Sequence, residues 1–378
     1  MKIGIVSEYY YPTLGGIQEH IHHFALEAMA RGHQVRIITS HVYGIREDRK
    51  KTDAIPITRI GLGVPLYQNG AIGRITVDLS LGKKLQRLFD QEKFDVIHIH
   101  VPITPTLPIV ALSRSNTVTI GTFHTNFKWS PWFKVFNKAC QRLLDRLDGL
   151  IAVSKTAIAA LNQHFRAEYR VIPNGIDTTQ FNPSVPRLPK FSDGRFNLLW
   201  IGRMEPRNGL DRMIHALVAA WKVRQDLRLI VIGDGPLRSS YESLIPSYLK
   251  PFVHFTGFVN EGRPALYSSA HVLCVPTSIS SFGITLLEGM AAGIPIIASD
   301  IDGFRDVMQN GHEGIMTDTT DPIQFRDAIL KLAADRALAI EQGQRGLKTA
   351  EKYSWPTVTE QILDYYQEAT IRYKNRVN

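Results

Sequence analysis

The sequence predicts an α/β protein built from two largely parallel, doubly wound sheets in tandem. Short apolar runs suited to buried strands alternate with longer amphipathic stretches, and the series breaks at a proline-rich segment and begins again. Several of the runs end in glycine- or hydroxyl-rich turns that lead into helical patterns. Such alternation favours parallel strands, which need a crossover between neighbours. At 378 residues the chain exceeds one ordinary core and fits two domains.

The first series opens with a strand at 2–7, a loop at 8–16 and a helix at 18–31 with Ile21, Phe24, Ala28 and Met29 on one face. Gly32 ends that helix, and 34–39 reads as the next strand. Further strands are expected at 95–100, 117–123, 150–153 and 169–172. Residues 177–194 hold Pro183, Pro186 and Pro189, with Pro173 just before, and read as a linker. The second series runs through strands at 197–201, 227–232, 253–256, 272–275 and 294–298. Helical patterns fill most of 322–352, and a last helix follows Trp355-Pro356.

Hydrophobic content of 44% and charged content of 21% are those of a globular protein and exclude a disordered one. The two cysteines, Cys140 and Cys274, lie far apart in apolar segments, which argues against a disulfide framework and for a reducing compartment. The opening Met-Lys-Ile-Gly-Ile-Val-Ser-Glu has too short an apolar run for a secretory leader, and no stretch reaches the roughly 20 apolar residues of a spanning helix. A formal charge of +9 and a pI near 9.4 call for an anionic partner, namely nucleic acid, an acidic membrane surface or a phosphorylated small molecule, or serve solubility.

The chemistry centres on 277–300. A hydroxyl-rich loop follows the strand 272–275 and opens a helix with Ile284, Leu287 and Ala291 on its apolar side, which Gly293 stops. A helix start behind small residues suits a phosphate, and Glu288 on that helix suits sugar hydroxyls; an ordinary β-α-β unit is the plain alternative. Arg203, between a strand and a helix, falls at the same sheet edge and has the geometry to bind a diphosphate bidentately, or is a solvated surface arginine. Gly233-Asp234-Gly235-Pro236 is another turn at a strand end. In the first series Gly15-Gly16 precedes the first helix, but the G-x-G-x-x-G of dinucleotide enzymes is absent, which weakens a dehydrogenase reading. His98, His100 and His124 invite a metal; without a carboxylate or cysteine at ligand spacing, no metal is expected, and His124 at a strand's carboxyl end reads as a substrate contact.

These pieces carry a resemblance. Gly15-Gly16 with Gln18, Gly-Thr-Phe-His124, Ile151-Ala152-Val153-Ser154, Val171 to Asp177, Gly202-Arg203, Gly233 to Pro236 and Ser281-Phe282-Gly283 through Glu288 together resemble the retaining glycosyltransferases of family 4. His98-Ile99-His100, Pro105 to Pro108 and Gly121 to His124 are similar to the bacterial phosphatidylinositol mannosyltransferases within it. The resemblance implies the GT-B architecture, two Rossmann-like domains with parallel sheets facing a central cleft. It places an acceptor domain at 1–185, on which the C-terminal helix 356–378 packs back, and a nucleotide-sugar donor domain at 195–355.

By the same resemblance a nucleotide-sugar, GDP- or UDP-linked, is the substrate, no cofactor or metal is needed, and the reaction is a front-side displacement with retention. His124 and Arg203 are the implied catalytic residues. The donor falls to Gly15, Gly16, Arg203, Asn208, Ser280, Ser281, Phe282, Gly283 and Glu288, and the acceptor to Tyr9, Gln18, Arg74 and His124. Two positions depart from the family pattern: Asn208 stands where a lysine is usual, and Ser280 where a glutamate is usual seven residues ahead of the counterpart of Glu288. Val101 also replaces a glutamate common after His100.

Residues 128–138 interleave Trp129, Trp132, Phe133 and Phe136 with Lys128, Lys134 and Lys138 and lead to Arg142 and Arg146, the composition of an interfacial helix or of a core stripe at a cleft mouth. Arg74, Lys83, Lys84 and Arg87 form a second basic stretch. No readout motif for nucleic acid accompanies the charge. The reading is a hexosyltransferase, mannose-like in donor, acting on a lipid such as phosphatidylinositol at an anionic membrane, cytoplasmic and peripheral at the inner face. A GT-B pseudoenzyme that binds nucleotide or lipid without transfer is the alternative; a sugar-nucleotide epimerase is a third, and lacks catalytic carboxylates.

Overall fold

The structure, a computed structural model, describes residues 1–13, 15–42, 54–68, 71–124, 131–259 and 262–377; the side chains of 66–68, 71–73, 131–136 and 377 are outside the description. The chain divides into two compact units, Met1–Asn174 with Trp355–Asn378, and Gly175–Ser354.

The first unit contains β1 (Lys2–Val6), α1 (Gly16–Ala30), β2 (Gln34–His41), β3 (Ile57–Gln68), β4 (Ala71–Val77), α2 (Leu81–Glu92), β5 (Val96–His100), α3 (Leu107–Arg114), β6 (Val118–Phe123), α4 (Pro131–Leu144), β7 (Gly149–Ala152), α5 (Lys155–Asn162) and β8 (Arg170–Val171). Its sheet has the order β4-β3-β2-β1-β5-β6-β7-β8. β1 lies between β2 and β5 in parallel register, with Ile5 opposite both Ile37 and His98. Burial on both faces explains why these strands read as unbroken apolar runs. The sheet is not wholly parallel, because β3 and β4 form an antiparallel hairpin, Leu62 opposite Val77 and Val64 opposite Ile75. Sequence periodicity gave no strand there: the hairpin is an edge, with Leu62, Val64 and Val77 exposed and with Gly61, Gly63 and Pro65 in one strand.

The second unit contains β9 (Phe196–Ile201), α6 (Leu210–Trp221), β10 (Leu227–Ile232), α7 (Arg238–Ser243), β11 (Val253–Gly257), α8 (Arg263–Ser269), β12 (Val272–Val275), α9 (Ile284–Ala291), β13 (Ile296–Ser299), α10 (Asp302–Arg305), β14 (Gly314–Thr317), α11 (Pro322–Ala334) and α12 (Arg336–Glu351). Its sheet, β11-β10-β9-β12-β13-β14, is parallel throughout. Met213, Ile214 and Leu217 of α6 join Phe325, Ile329 and Leu332 of α11 and the ring of Trp200 in one core. Burying each such side chain contributes about 1.5–3 kcal/mol. The proline-rich stretch 177–194 packs on this unit: the Ser269 hydroxyl accepts from the Leu188 amide at 2.9 Å, and the Asn197 amide donates to the Phe191 carbonyl at 2.7 Å. The two passages of the chain lie side by side, the Ile176 amide donating to the Tyr353 carbonyl at 2.8 Å.

The last helix, α13 (Trp355–Val377), belongs to the first unit. Val358, Ile362, Tyr366 and Ala369 enter the core formed by Ile3, Phe24 and Ile120. Two polar contacts fix its register: the Tyr366 hydroxyl meets His98 Nδ1 at 2.6 Å, and the Tyr365 hydroxyl accepts from the Leu150 amide at 3.1 Å.

Candidate active site

In the second unit three loops, 202–209, 233–236 and 276–283, follow the carboxyl ends of β9, β10 and β12. In a parallel sheet all three therefore stand at one edge, where α/β proteins hold ligands. Their backbones touch. The Gly202 amide donates to the Ile232 carbonyl at 3.1 Å, Met204 N to Asp234 O at 3.0 Å, and Ser278 N to Arg207 O at 2.8 Å. Two glycines permit the approach. A Cβ on Gly209, at φ +69°, would stand 2.2 Å from the Pro276 carbonyl oxygen, and one on Gly233, at φ +132°, 1.9 Å from that of Gly202.

Arg203 projects from this edge with its side chain 58% exposed, and its Nη2 lies 2.9 Å from Oε1 of Glu205. Asn208 turns inward: its Nδ2 donates to the Arg203 carbonyl at 2.7 Å, while its own carbonyl accepts from Trp200 Nε1 at 3.2 Å. Ser280, Ser281, Phe282 and Gly283 form the approach to α9, with Phe282 buried edge-on against Tyr353 and Gly283 in the N-cap position. Glu288 is buried on α9, where Arg263 Nη2 donates to Oε1 at 2.7 Å and the Tyr267 hydroxyl to Oε2 at 2.5 Å. Burial and then the Glu288 charge push the Tyr267 phenol well above its ordinary range, so it donates.

In the first unit the corresponding edge carries the loop after β1. Gly15 caps α1 and Gly16 begins it. Gln18 Nε2 and Arg74 Nη1 both donate to the Thr13 hydroxyl, at 3.2 and 3.0 Å, and that hydroxyl donates to the Tyr10 carbonyl at 3.0 Å. Tyr9 is held by its amide, which donates to Ser7 Oγ at 2.9 Å, and partial burial lowers the Arg74 pKa. Glu8 is buried beneath: Oε1 accepts from the amides of Thr76, Thr106 and Leu107 at 3.1, 3.3 and 2.9 Å, and Oε2 from Thr76 Oγ1 at 2.7 Å. One carboxylate thus ties the hairpin bearing Arg74 to the start of α3.

The histidines regroup relative to their order in sequence. His98 faces Tyr366 and Thr122 Oγ1, while His20 from α1 joins His100 and His124. One nitrogen from each of these three lies within 4.8 Å of the others, a group able to hold a metal ion, without a carboxylate or cysteine. His100 Nδ1 and His124 Nε2 are hydrogen-bonded at 2.8 Å, and His20 Nδ1 meets Asn174 Oδ1 at 3.0 Å. Burial lowers the pKa of each, to about 4 at His20 and about 3 at His98, so the cluster is neutral.

Residues 14–180 match the family described as Glycosyltransferase Family 4, and residues 195–335 that described as Glycosyl transferases group 1. The phosphatidyl-myo-inositol mannosyltransferase of Mycobacterium leprae (strain TN) is 30% identical over 375 residues, covering 97% of this chain and 96% of that protein. The chain belongs to glycosyltransferase family 4. Another relative of this family 4 chain, the GDP-mannose-dependent alpha-mannosyltransferase of Mycolicibacterium smegmatis (strain ATCC 700084 / mc(2)155), is 26% identical, with 97% of each chain covered. Among solved structures, sucrose-phosphate synthase from Thermosynechococcus elongatus has a TM-score of 0.76 at 20% identity, covering 97% of this chain and 98% of that one, a likeness of fold: GT-B, with two parallel-sheet α/β units.

As a family 4 glycosyltransferase the chain presents, in its second unit, a cation at Arg203 and an acid at Glu288 on elements that leave the same sheet edge. Sequence reasoning missed Thr13, His20, Asn174, Glu205, Arg263 and Tyr267. Asn174 lies within the Pro173-Asn174-Gly175 stretch that carried the resemblance, and only its pairing with His20 across 154 positions marks it out.

Proposed function

We propose that the chain transfers a hexose, mannose-like, from a GDP- or UDP-linked donor to a lipid acceptor such as phosphatidylinositol, with retention and without a metal. The observation that carries this reading is the pair Arg203 and Glu288 at one edge of the second sheet, in a chain similar over nearly its whole length to a phosphatidyl-myo-inositol mannosyltransferase. Arg203 would take the diphosphate, and Glu288 the ribose hydroxyls, with 281–283 bringing the start of α9 toward the phosphates. The acceptor oxygen bonds to the anomeric carbon on the face from which the diphosphate oxygen departs, and the acceptor proton passes to that leaving oxygen. The protein's part is to stabilise the leaving charge and hold the acceptor in place. Gly15 and Gly16 would lie against the donor, and Tyr9, Gln18, Arg74 and His124 would serve the acceptor.

A peripheral seat at the inner face of the membrane is part of this reading. On the first unit α2 buries Leu81, Leu85 and Phe89 and leaves Lys83, Lys84 and Arg87 on its other side, next to a fully exposed Leu79. Cations beside an exposed apolar side chain suit an anionic lipid surface. The aromatic and basic run 128–130 lies outside the described residues, as do the side chains of 131–136. Among the described residues no helix is long and apolar enough to cross a membrane.

One observation favours a second reading, a pseudoenzyme: the Asn208 amide is engaged by the Arg203 carbonyl, so the position usual for a cation offers none. The test is the melting temperature with a panel of nucleoside diphosphates and their sugar conjugates, followed by transfer of labelled hexose to vesicles containing phosphatidylinositol. A rise with one base and labelled lipid supports transfer. A rise without labelled lipid supports a pseudoenzyme that binds nucleotide, and no rise at millimolar ligand overturns the transferase and favours the pseudoenzyme.

A further inference from the structure

The loop 203–209 contains a second arginine that the donor reading does not use. Glu205 bridges two guanidiniums: Oε1 lies 2.9 Å from Arg203 Nη2, and Oε2 lies 3.0 Å from Arg207 Nε. The two arginine side chains are 58% and 52% exposed, and that of Glu205 is 21% exposed. The carboxylate is therefore the more enclosed partner, and both cations face outward around it.

The backbone that carries Arg207 is fixed. Residues Pro206–Asn208 form one turn of 3-10 helix. The Arg207 carbonyl accepts from both the amide and the hydroxyl of Ser278, at 2.8 and 3.2 Å, which ties it to the loop after β12. Asn208 adds its bond to the Arg203 carbonyl at 2.7 Å, so the segments bearing the two arginines are cross-linked. A carboxylate shared by two guanidiniums holds them at a spacing that phosphate oxygens also satisfy, and Arg recognises phosphate by the same paired N–H···O geometry. Exposed ion pairs of this kind are weak, so a diphosphate, with more charge and more acceptor oxygens, has little to displace.

We propose that Arg207 is the second diphosphate-binding cation of this site, occupying the role left by the absent lysine at position 208, and that Glu205 is an internal counter-ion that keeps both arginines together until an anion takes them. The inference rests on the donor reading of the second unit. It makes Arg203 and Arg207 a pair whose charge is half neutralised in the ligand-free protein, and Asn208 a brace for the loop.

The experiment is calorimetric titration of the full chain with GDP and UDP at low and moderate salt, for the parent, Arg207→Ala, Glu205→Gln and the double variant, with melting temperatures to confirm folding. Arg207→Ala is expected to weaken binding about ten-fold and flatten the salt dependence, and Glu205→Gln to tighten it several-fold. In the Glu205→Gln background, Arg207→Ala is expected to weaken binding by about as much again. If the parent binds and Arg207→Ala stays within two-fold of it, or loses its effect once Glu205 is neutral, Arg207 serves only to offset Glu205 and the proposal is overturned. If the folded parent binds neither nucleotide, the donor reading itself fails, and this inference with it.

Discussion

The Tyr267 hydroxyl donates to Oε2 of Glu288 at 2.5 Å across 21 positions of sequence, while Arg263 holds the other oxygen at 2.7 Å. Two donors, one on each oxygen, set the orientation of this buried carboxylate before any ligand arrives. Tyr267→Phe removes one donor and leaves that oxygen short of a partner, so stability should fall by about 1.5–3 kcal/mol, and the melting shift produced by a nucleotide-sugar should shrink. Urea unfolding of the two proteins measures the first effect. An unchanged midpoint would show that Tyr267 is not needed to fix Glu288.

The histidine cluster makes stability depend on pH with a defined sign. An unfolded histidine titrates near 6.5, whereas burial places His20 at about 4 and His98 at about 3. Between these values the unfolded chain binds more protons than the folded one. Stability is therefore complete above about pH 6.5 and is lost as pH falls toward about 4. His20 alone should account for about 3 kcal/mol over that window. Unfolding followed at pH 7 and pH 4.5 tests this, with His20→Gln flattening the slope; an equal slope in both proteins counts against it.

Arg203 and Asn208 should respond oppositely to their substitutions. On the proposed function Arg203→Ala removes the leaving-group cation, and kcat/KM is expected to fall about 10²- to 10³-fold. Asn208→Lys, alone or with Ser280→Glu, is expected to change it by no more than about five-fold, because on the reading proposed above Arg207 already supplies the second cation. Steady-state kinetics on the lipid acceptor decides this. A hundred-fold gain on restoring lysine and glutamate would instead mark an eroded enzyme.

Gly209 and Gly311 form a matched pair of controls. Both have positive φ, +69° and +79°, but a Cβ at 209 meets the Pro276 carbonyl oxygen at 2.2 Å, while one at 311 meets nothing within 4 Å. Gly311→Ala should cost only the strain of a left-handed residue, about 1–2 kcal/mol. Gly209→Ala should cost more and push apart the loops that carry Arg203 and Ser278, abolishing the nucleotide-induced melting shift. Thermal melts with and without GDP or UDP compare the two, and equal behaviour would show that the loops yield without consequence.

The alternation of apolar runs with helical stretches made the two sheets legible in the sequence, because parallel strands are buried on both faces and carry continuous hydrophobic signals. It also made legible that Arg203 and the start of α9 leave one sheet edge, since each directly follows such a run. The β3–β4 hairpin was not legible, as an edge exposes half its residues and tolerates glycine and proline. Nor were the partners of the charged groups. Arg263 and Tyr267 reach Glu288 from another helix, Asn174 reaches His20 from the far end of the first unit, and no spacing along the chain encodes such pairings. His98 and His100 looked equivalent two positions apart, yet one meets α13 and the other meets His124.

The placement of α13 also bears on how the protein is made. Tyr366 and Tyr365 complete the surroundings of His98 and Leu150, yet they lie 268 and 215 positions further along. A ribosome adding 5–20 residues each second needs on the order of ten seconds or more to supply them. During that interval the first 174 residues are out of order with their own core: the surface that Val358, Ile362 and Ala369 will cover stays open while the whole of the second unit is synthesised and is free to fold. The unit that begins the chain is thus the last to be finished, and newly made protein released before residue 355 would present that open apolar surface to chaperones and proteases.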